Sequence, residues 1–222
     1  CAHTPAPVSE RSGGSAAASR GSTSASGSYR VREGDTLYSI AWRHGLDWRD
    51  LARRNGIGPP WTIRAGQRLV LAGTPPPAGS ASGSSSPSPA RKAPASSAAP
   101  GWDWPLAGPV VRGFARSGSS LNQGIDLRGG AGADVRVAAP GEVVYAGTGL
   151  RGFAQLVIVK HDDTWLSAYG LGSRILVKEG QRLARGDRLA RLEAADGEAP
   201  LLHFEIRRNG EPVDPLWHLP AR

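Results

Sequence analysis

Few side chains in this 222-residue chain could do chemistry, and they are scattered. The histidines are His3, His44, His161, His203 and His218, and the one cysteine is Cys1. A lone cysteine excludes an internal disulfide framework and a cysteine-based zinc knuckle. A hydrolytic zinc needs about three protein ligands and one open position. Asp126, in the run Asn122-Gln123-Gly124-Ile125-Asp126, and His203, in Leu202-His203-Phe204-Glu205, are residue types that could hold such an ion. His3 lies in a polar tail and His218 sits near the end of the chain.

Composition divides the chain around these residues. Ser, Ala, Pro and Gly concentrate in residues 2–28 and 72–100, which cannot bury enough apolar surface to order themselves. The expected organisation is a tail (1–28), a small module (29–71), a linker (72–100) and a larger domain (101–222). In polyproline-like form the linker spans at most ~90 Å, the behaviour of a mobile tether. The net charge is +8, and half of it rides on residues 29–71, where eight Arg face Glu33, Asp35, Asp47 and Asp50. No nucleic-acid motif accompanies that charge, so nucleic acid is not an expected partner. No run of 18 apolar residues exists.

In residues 29–71, Tyr29–Val31 alternates like a short strand. Gly34-Asp35-Thr36 reads as a turn and helix start, with Asp35 or Thr36 as the cap. Leu37, Ile40 and Ala41 follow at helical spacing. A second helix is predicted over about Asp47 to Asn55, then a loop from Ile57 to Pro60 and a closing strand over Gln67–Leu71. On Gly34-Asp35-Thr36-Leu37, Ile40, Ala41, Leu51, Asn55, Gly66, Gln67 and Leu69, this β-α-α-β segment resembles the LysM module, although Ala65 stands where that family usually has Pro. The resemblance implies binding to N-acetylglucosamine-containing glycans such as peptidoglycan. The implied groove lies between two loops, with Gly34, Asp35, Thr36 and Leu37 on one side and Ile57, Gly58 and Ile63 on the other. Asp35 and Thr36 as a helix cap alone is an equally open reading.

Residues 101–222 are dominated by strand signals, at Gly141–Ala146, Leu156–Lys160, Trp165–Tyr169 and Leu202–Arg207, with turns at Gly180 and Gly186. No helical period exceeds about two turns, so an antiparallel β sandwich or barrel is expected and the whole chain is α+β. On Trp104-Pro105, Gly124-Ile125-Asp126, Ala139-Pro140-Gly141, His161, Tyr169, Val177-Lys178-Glu179-Gly180-Gln181 and Leu202-His203-Phe204, the domain is similar to LytM or lysostaphin-type peptidoglycan endopeptidases, a duplicated hybrid motif. Active members bind zinc through a His, an Asp four residues on and a distant His, and use two further histidines. At those positions stand Asn122 and Asp126, Tyr169-Gly170-Leu171, and Leu201-Leu202-His203. Asn is a weak ligand for zinc, and Leu neither ligates nor transfers protons. The resemblance therefore implies a domain without metal, cofactor or catalytic residues, with His161 a framework residue. The former active-site groove near Asn122, Asp126, Tyr169, Leu171, Leu201 and His203 is expected to be less polar and to take a partner's segment.

The chain contains no Met and starts at Cys1. It is expected to be processed from a longer product, with Cys1 lipid-modified as in bacterial lipoproteins. Ala2 rather than Asp at the second position favours outer-membrane sorting by that resemblance. Lipidated cysteine, LysM module, Pro/Ser linker and degenerate LytM domain together resemble the NlpD family of outer-membrane lipoproteins. That implies a non-catalytic, murein-binding lipoprotein anchored in the outer membrane and facing the periplasm. Its implied role is to activate a periplasmic N-acetylmuramoyl-L-alanine amidase for septal peptidoglycan splitting and daughter-cell separation. A zinc-dependent peptidoglycan endopeptidase and a passive murein tether remain the alternatives.

Overall fold

The structure, a computed structural model, describes residues 27–72, 99–117, 121–148, 153–172, 174–194 and 199–222. The expected lipid site at Cys1 and most of the expected linker lie outside the described residues. Among the described residues, no helix is long and apolar enough to cross a membrane.

The N-terminal module pairs β1 (Ser28–Arg30) antiparallel with β2 (Arg68–Val70) and places α1 (Leu37–His44) and α2 (Trp48–Arg54) between them. Thr36 caps α1: its hydroxyl accepts from the Ser39 amide at 3.1 Å, and Ser39 Oγ accepts from the Thr36 amide at 3.0 Å. This reciprocal pair satisfies two of the orphan donors of a helix start. Gly45 ends α1 in the left-handed region, where a side chain is disfavoured. Asp47 caps α2 by accepting from the Arg49 amide at 2.7 Å. Leu37, Ile40, Leu51 and Leu69 form the module's core.

The C-terminal domain is two antiparallel sheets around one core. The larger runs in the order β10 (Arg182–Leu183), β6 (Gly141–Gly147), β7 (Gln155–Lys160), β8 (Trp165–Leu171), β12 (Leu201–Arg208), β4 (Ile125–Arg128), β3 (Val110–Arg112), with β13 (Glu211–Val213) pairing with β12. The smaller pairs β5 (Asp134–Arg136), β11 (Arg188–Arg191) and β9 (Arg174–Ile175). Side chains from both sheets, among them Ile125, Val157, Phe204, Val135 and Leu189, fill the space between them.

The outer face of the large sheet is also covered. Every residue of β8 is buried, and so is the apolar run Leu156–Val159 of β7. Val157 and Val159 point into the domain core, whereas Leu156 and Ile158 pack with Trp42 of α1. Leu166 joins the module's own core cluster. Arg49 donates to Asn209 Oδ1 at 2.7 Å, and the Lys160 ammonium sits 4.5 Å from the centre of the Trp48 ring. The turn after β12, Asn209-Gly210, has positive φ at both positions (51° and 83°), and a Cβ on Gly210 would lie 2.5 Å from the Asp47 amide nitrogen. The module is thus docked on the domain, which departs from the expectation of a sugar-binding module held only by a tether. Both faces of β7 and β8 are apolar, so both need a cover.

Candidate functional site

β4 and β12 bring the two surviving ligand-type residues together. Their register sets His203 opposite Asp126 and Phe204 opposite Ile125. Side chains alternate along a strand, so Leu202, Phe204 and Ile206 enter the core while Leu201, His203, Glu205 and Arg207 share the other face. On that face a chain of alternating charges forms. His203 Nδ1 lies 2.6 Å from Asp126 Oδ1, and His203 Nε2 lies 3.0 Å from Glu205 Oε1. Arg207 Nε donates to Glu205 Oε2 at 3.1 Å. Arg207 also donates to Gln123 Oε1 at 2.9 Å and to the Trp42 carbonyl at 3.1 Å.

Burial by itself would lower the His203 pKa, but Glu205 and then Asp126 outweigh it, and the net shift is upward. Both ring nitrogens face carboxylate oxygens, so the imidazolium that donates twice is the favoured form. Arg112 approaches Asp126 Oδ2 at 4.0 Å. Phe153 lies over His203 with ring centres 5.1 Å apart, and it also covers Gly170, where a Cβ would come within 2.3 Å of the Phe153 ring. Gly170 is what lets an aromatic ring close over this part of the sheet.

Zinc does not fit this donor set. A histidine ligates through a lone pair, and both His203 nitrogens are engaged by carboxylates. Asn122 is buried, and its amide donates to the Gly113 carbonyl at 2.9 Å while its backbone bridges to Ala115. Among the described residues, no three His, Cys, Asp or Glu converge on a common ion position.

Not every residue expected in the groove is there. Leu201 is 46% exposed beside His203 and Asp126. Tyr169 and Leu171 belong to the core: Leu171 pairs opposite Leu202 and is 3% exposed. The Tyr169 hydroxyl accepts from the Ala138 amide at 2.8 Å. The reason is parity: along β8 it is Gly170 that faces the same side as His203. His161 sits behind the sheet, with Nδ1 2.7 Å from the Pro140 carbonyl and Nε2 2.8 Å from Ser167 Oγ. Burial pushes its pKa down to about 4. Phe153, Glu205 and Arg207 were missed by reading the sequence, although the parity of His203, Glu205 and Arg207 on one strand was a usable signal.

The implied glycan loops fare similarly. Leu37 is 1% exposed and part of the module's core, so it cannot meet a sugar. Ile57 and Ile63 are half-buried against the same core, and Gly58 is exposed. Asp35 accepts from the Tyr29 hydroxyl at 2.7 Å and from the Arg32 amide at 2.8 Å, and pairs with Arg43 at 3.2 Å, while Thr36 is the cap. Gly34 and Asp35 line a cleft of about 550 Å³ whose opposite wall is Tyr145–Thr148 and Glu179 of the C-terminal domain.

Residues 120–215 match Peptidase family M23, and residues 29–72 match the LysM domain. The lipoprotein NlpD/LppB homolog of Pseudomonas aeruginosa is 44% identical over 97% of this chain and 84% of its own length. The uncharacterized lipoprotein YgeR of Escherichia coli K12 is 36% identical over 87% of this chain and 81% of its own. The murein hydrolase activator NlpD of the same organism is 34% identical over 91% and 70%.

Proposed function

As the chain belongs to the NlpD/LppB lipoprotein family, we propose that it activates a murein hydrolase, an N-acetylmuramoyl-L-alanine amidase of the periplasm, and hydrolyses nothing itself. The activator name of its relatives supports the first half. One observation carries the second: His203, the histidine at a ligand position, is held at both nitrogens by Asp126 and Glu205. With Asn122, Leu171 and Leu201 at the other positions, no water can be polarised there.

The partner surface is the strip where Asp126, His203 and exposed Leu201 face outward, with Asn122 at its margin; Tyr169 and Leu171 support it from the core side. A partner segment seated there stabilises the open state of an amidase that is otherwise closed. The module, through Gly34, Asp35, Thr36, Gly58 and the ends of its loops, brings the protein to peptidoglycan. A lipid on Cys1 holds it to the outer membrane facing the periplasm, at ~0.8 kcal/mol per buried CH₂.

The test is dye release from labelled sacculi by such an amidase, with and without the chain. Release by the amidase is expected to rise with the chain present, and the chain alone is expected to release nothing. Leu201→Glu is expected to lose activation while its circular dichroism melt is kept, because a carboxylate in place of the exposed leucine has to be desolvated when the partner covers it. Full activation by a folded Leu201→Glu chain would place the partner surface elsewhere.

A further inference from the structure

Trp42 belongs to the N-terminal module by sequence and to the C-terminal domain by packing. It lies on α1 and is buried, yet its cluster consists of Tyr145, Leu156, Ile158 and Ala168, all from the large sheet. The Arg207 guanidinium lies over its ring, 3.5 Å from the centre, and donates to its carbonyl oxygen at 3.1 Å. Arg207 is 3% exposed and ion-paired with Glu205, which is equally buried. Glu205 holds His203 with its other oxygen, and His203 holds Asp126.

We infer that Trp42 is a positioning residue of the groove: by clamping Arg207 it fixes Glu205, and through Glu205 the His203–Asp126 pair. A buried guanidinium is tolerated only with its partners in place. Removing the aromatic face that covers Arg207 admits water beside the Glu205 ion pair and leaves the guanidinium to its bonds with Glu205, Gln123 and the Trp42 backbone carbonyl. The donor that orients Glu205 is then less firmly placed, and with it the oxygen that aims His203. The links from Arg207 to His203 are direct contacts along β12, and the last crosses to Asp126 on β4, so the disturbance reaches Asp126 through contacts rather than across empty space. The N-terminal module is therefore part of the groove's construction as well as a glycan reader. The functional side of this inference rests on the groove being the partner surface.

The experiment uses the full chain, labelled with ¹⁵N, with Trp42→Leu, Trp42→Phe, Arg207→Lys and Leu201→Glu. Trp42→Leu keeps an apolar side chain, of smaller volume, against Ile158 and removes the stack. It is expected to shift the backbone amide signals of Asp126 and His203 and to cut amidase activation on labelled sacculi roughly fivefold or more. Trp42→Phe, with a ring retained, is expected to restore both. Arg207→Lys keeps the charge without the planar fork and is expected to repeat the Trp42→Leu pattern; it decides the matter if Trp42→Leu does not fold. Unmoved Asp126 and His203 signals, in a chain whose Arg207 signal has moved, would overturn the inference. So would shifted signals with undiminished activation where Leu201→Glu has abolished it. Full activation by Leu201→Glu counts against the groove reading alone, and the amide signals still decide the coupling.

Discussion

His203 and His161 sit on the same domain and shift in opposite directions, because carboxylates outweigh burial at the first and burial outweighs them at the second. His203 gains Glu205 and Asp126 and is raised; its contribution is fully present below the ordinary histidine pKa and fades as pH rises through the raised value. His161 is lowered to about 4 by burial, against the Pro140 carbonyl and Asp162, which favour its charged form. Its neutral ring accepts from Ser167 Oγ and donates to Pro140. The unfolded chain takes up a proton near pH 6.5 and the folded chain only near 4, so stability is full above the first value and falls between the two. The steepest slope from this group is about 1.4 kcal/mol per pH unit. Urea midpoints measured from pH 7 to 4 are expected to drop, and His161→Gln is expected to flatten that arm. Some slope remains from His44 and His218, which burial also lowers. An equally steep acid arm in His161→Gln would remove His161 from this role. The carboxylate-locked His203 carries its own expectation. Protein purified without chelator is expected to show no stoichiometric zinc by elemental analysis, and a full complement would mean that the pair opens to take the ion.

At the scale of strands, parity along the chain decided what could be read in advance. The β-α-α-β order, a cap at Asp35 or Thr36 before the first helix, and the four long strands of the domain were legible, since Gly, Asp and apolar spacing mark their ends, whereas the spacing puts Asp47 inside the second helix rather than at its cap. The side of the sheet on which Leu171 falls was not read, because Trp165–Leu171 carries apolar residues on both faces and shows no regular alternation. Counting from Tyr169 by two would have put Leu171 in the core. The hairpin of β12 and β13 was legible in principle too: Asn209-Gly210 is the dipeptide that two-residue turns with positive φ at both positions prefer. What the sequence does not display is that Gly210 also abuts Leu46 and Asp47 of the module. Gly210→Ala therefore strains the turn and pushes against the docked module together. It is expected to cost about 1–3 kcal/mol in denaturant unfolding and to shift the amide signals of Leu46 and Asp47. Signals at those residues that stay in place would show that the module does not rest on this turn.

The molecule as a whole is organised by the need to cover Leu156, Ile158, Leu166 and Ala168. These residues explain why β7 and β8 lack the in–out alternation of a sheet with one wet face. A run such as Leu156-Val157-Ile158-Val159 announces two covers without saying what the second one is, and composition alone favoured a free module on a long tether. The positive charge of residues 29–71 pointed outward to an anionic polymer, yet Arg49 is turned toward Asn209 in the docked interface. Two independent bodies would unfold separately, whereas a module that seals the sheet should unfold with it. In a urea titration of the full chain followed by amide signals, Leu51 in the module core and Leu127 in the domain core are expected to disappear at the same midpoint. Removing residues 29–71 exposes the four apolar side chains and leaves Arg207 without Trp42. At roughly 1.5–3 kcal/mol for each large apolar side chain returned to water, a loss of at least about 2 kcal/mol is expected in residues 99–222 alone. Binding to purified sacculi is expected to weaken in the same truncated chain, so its activation assays must be compared at matched folded fractions. Two well-separated midpoints for Leu51 and Leu127, with residues 99–222 as stable alone as in the full chain, would restore the picture of a module free to swing.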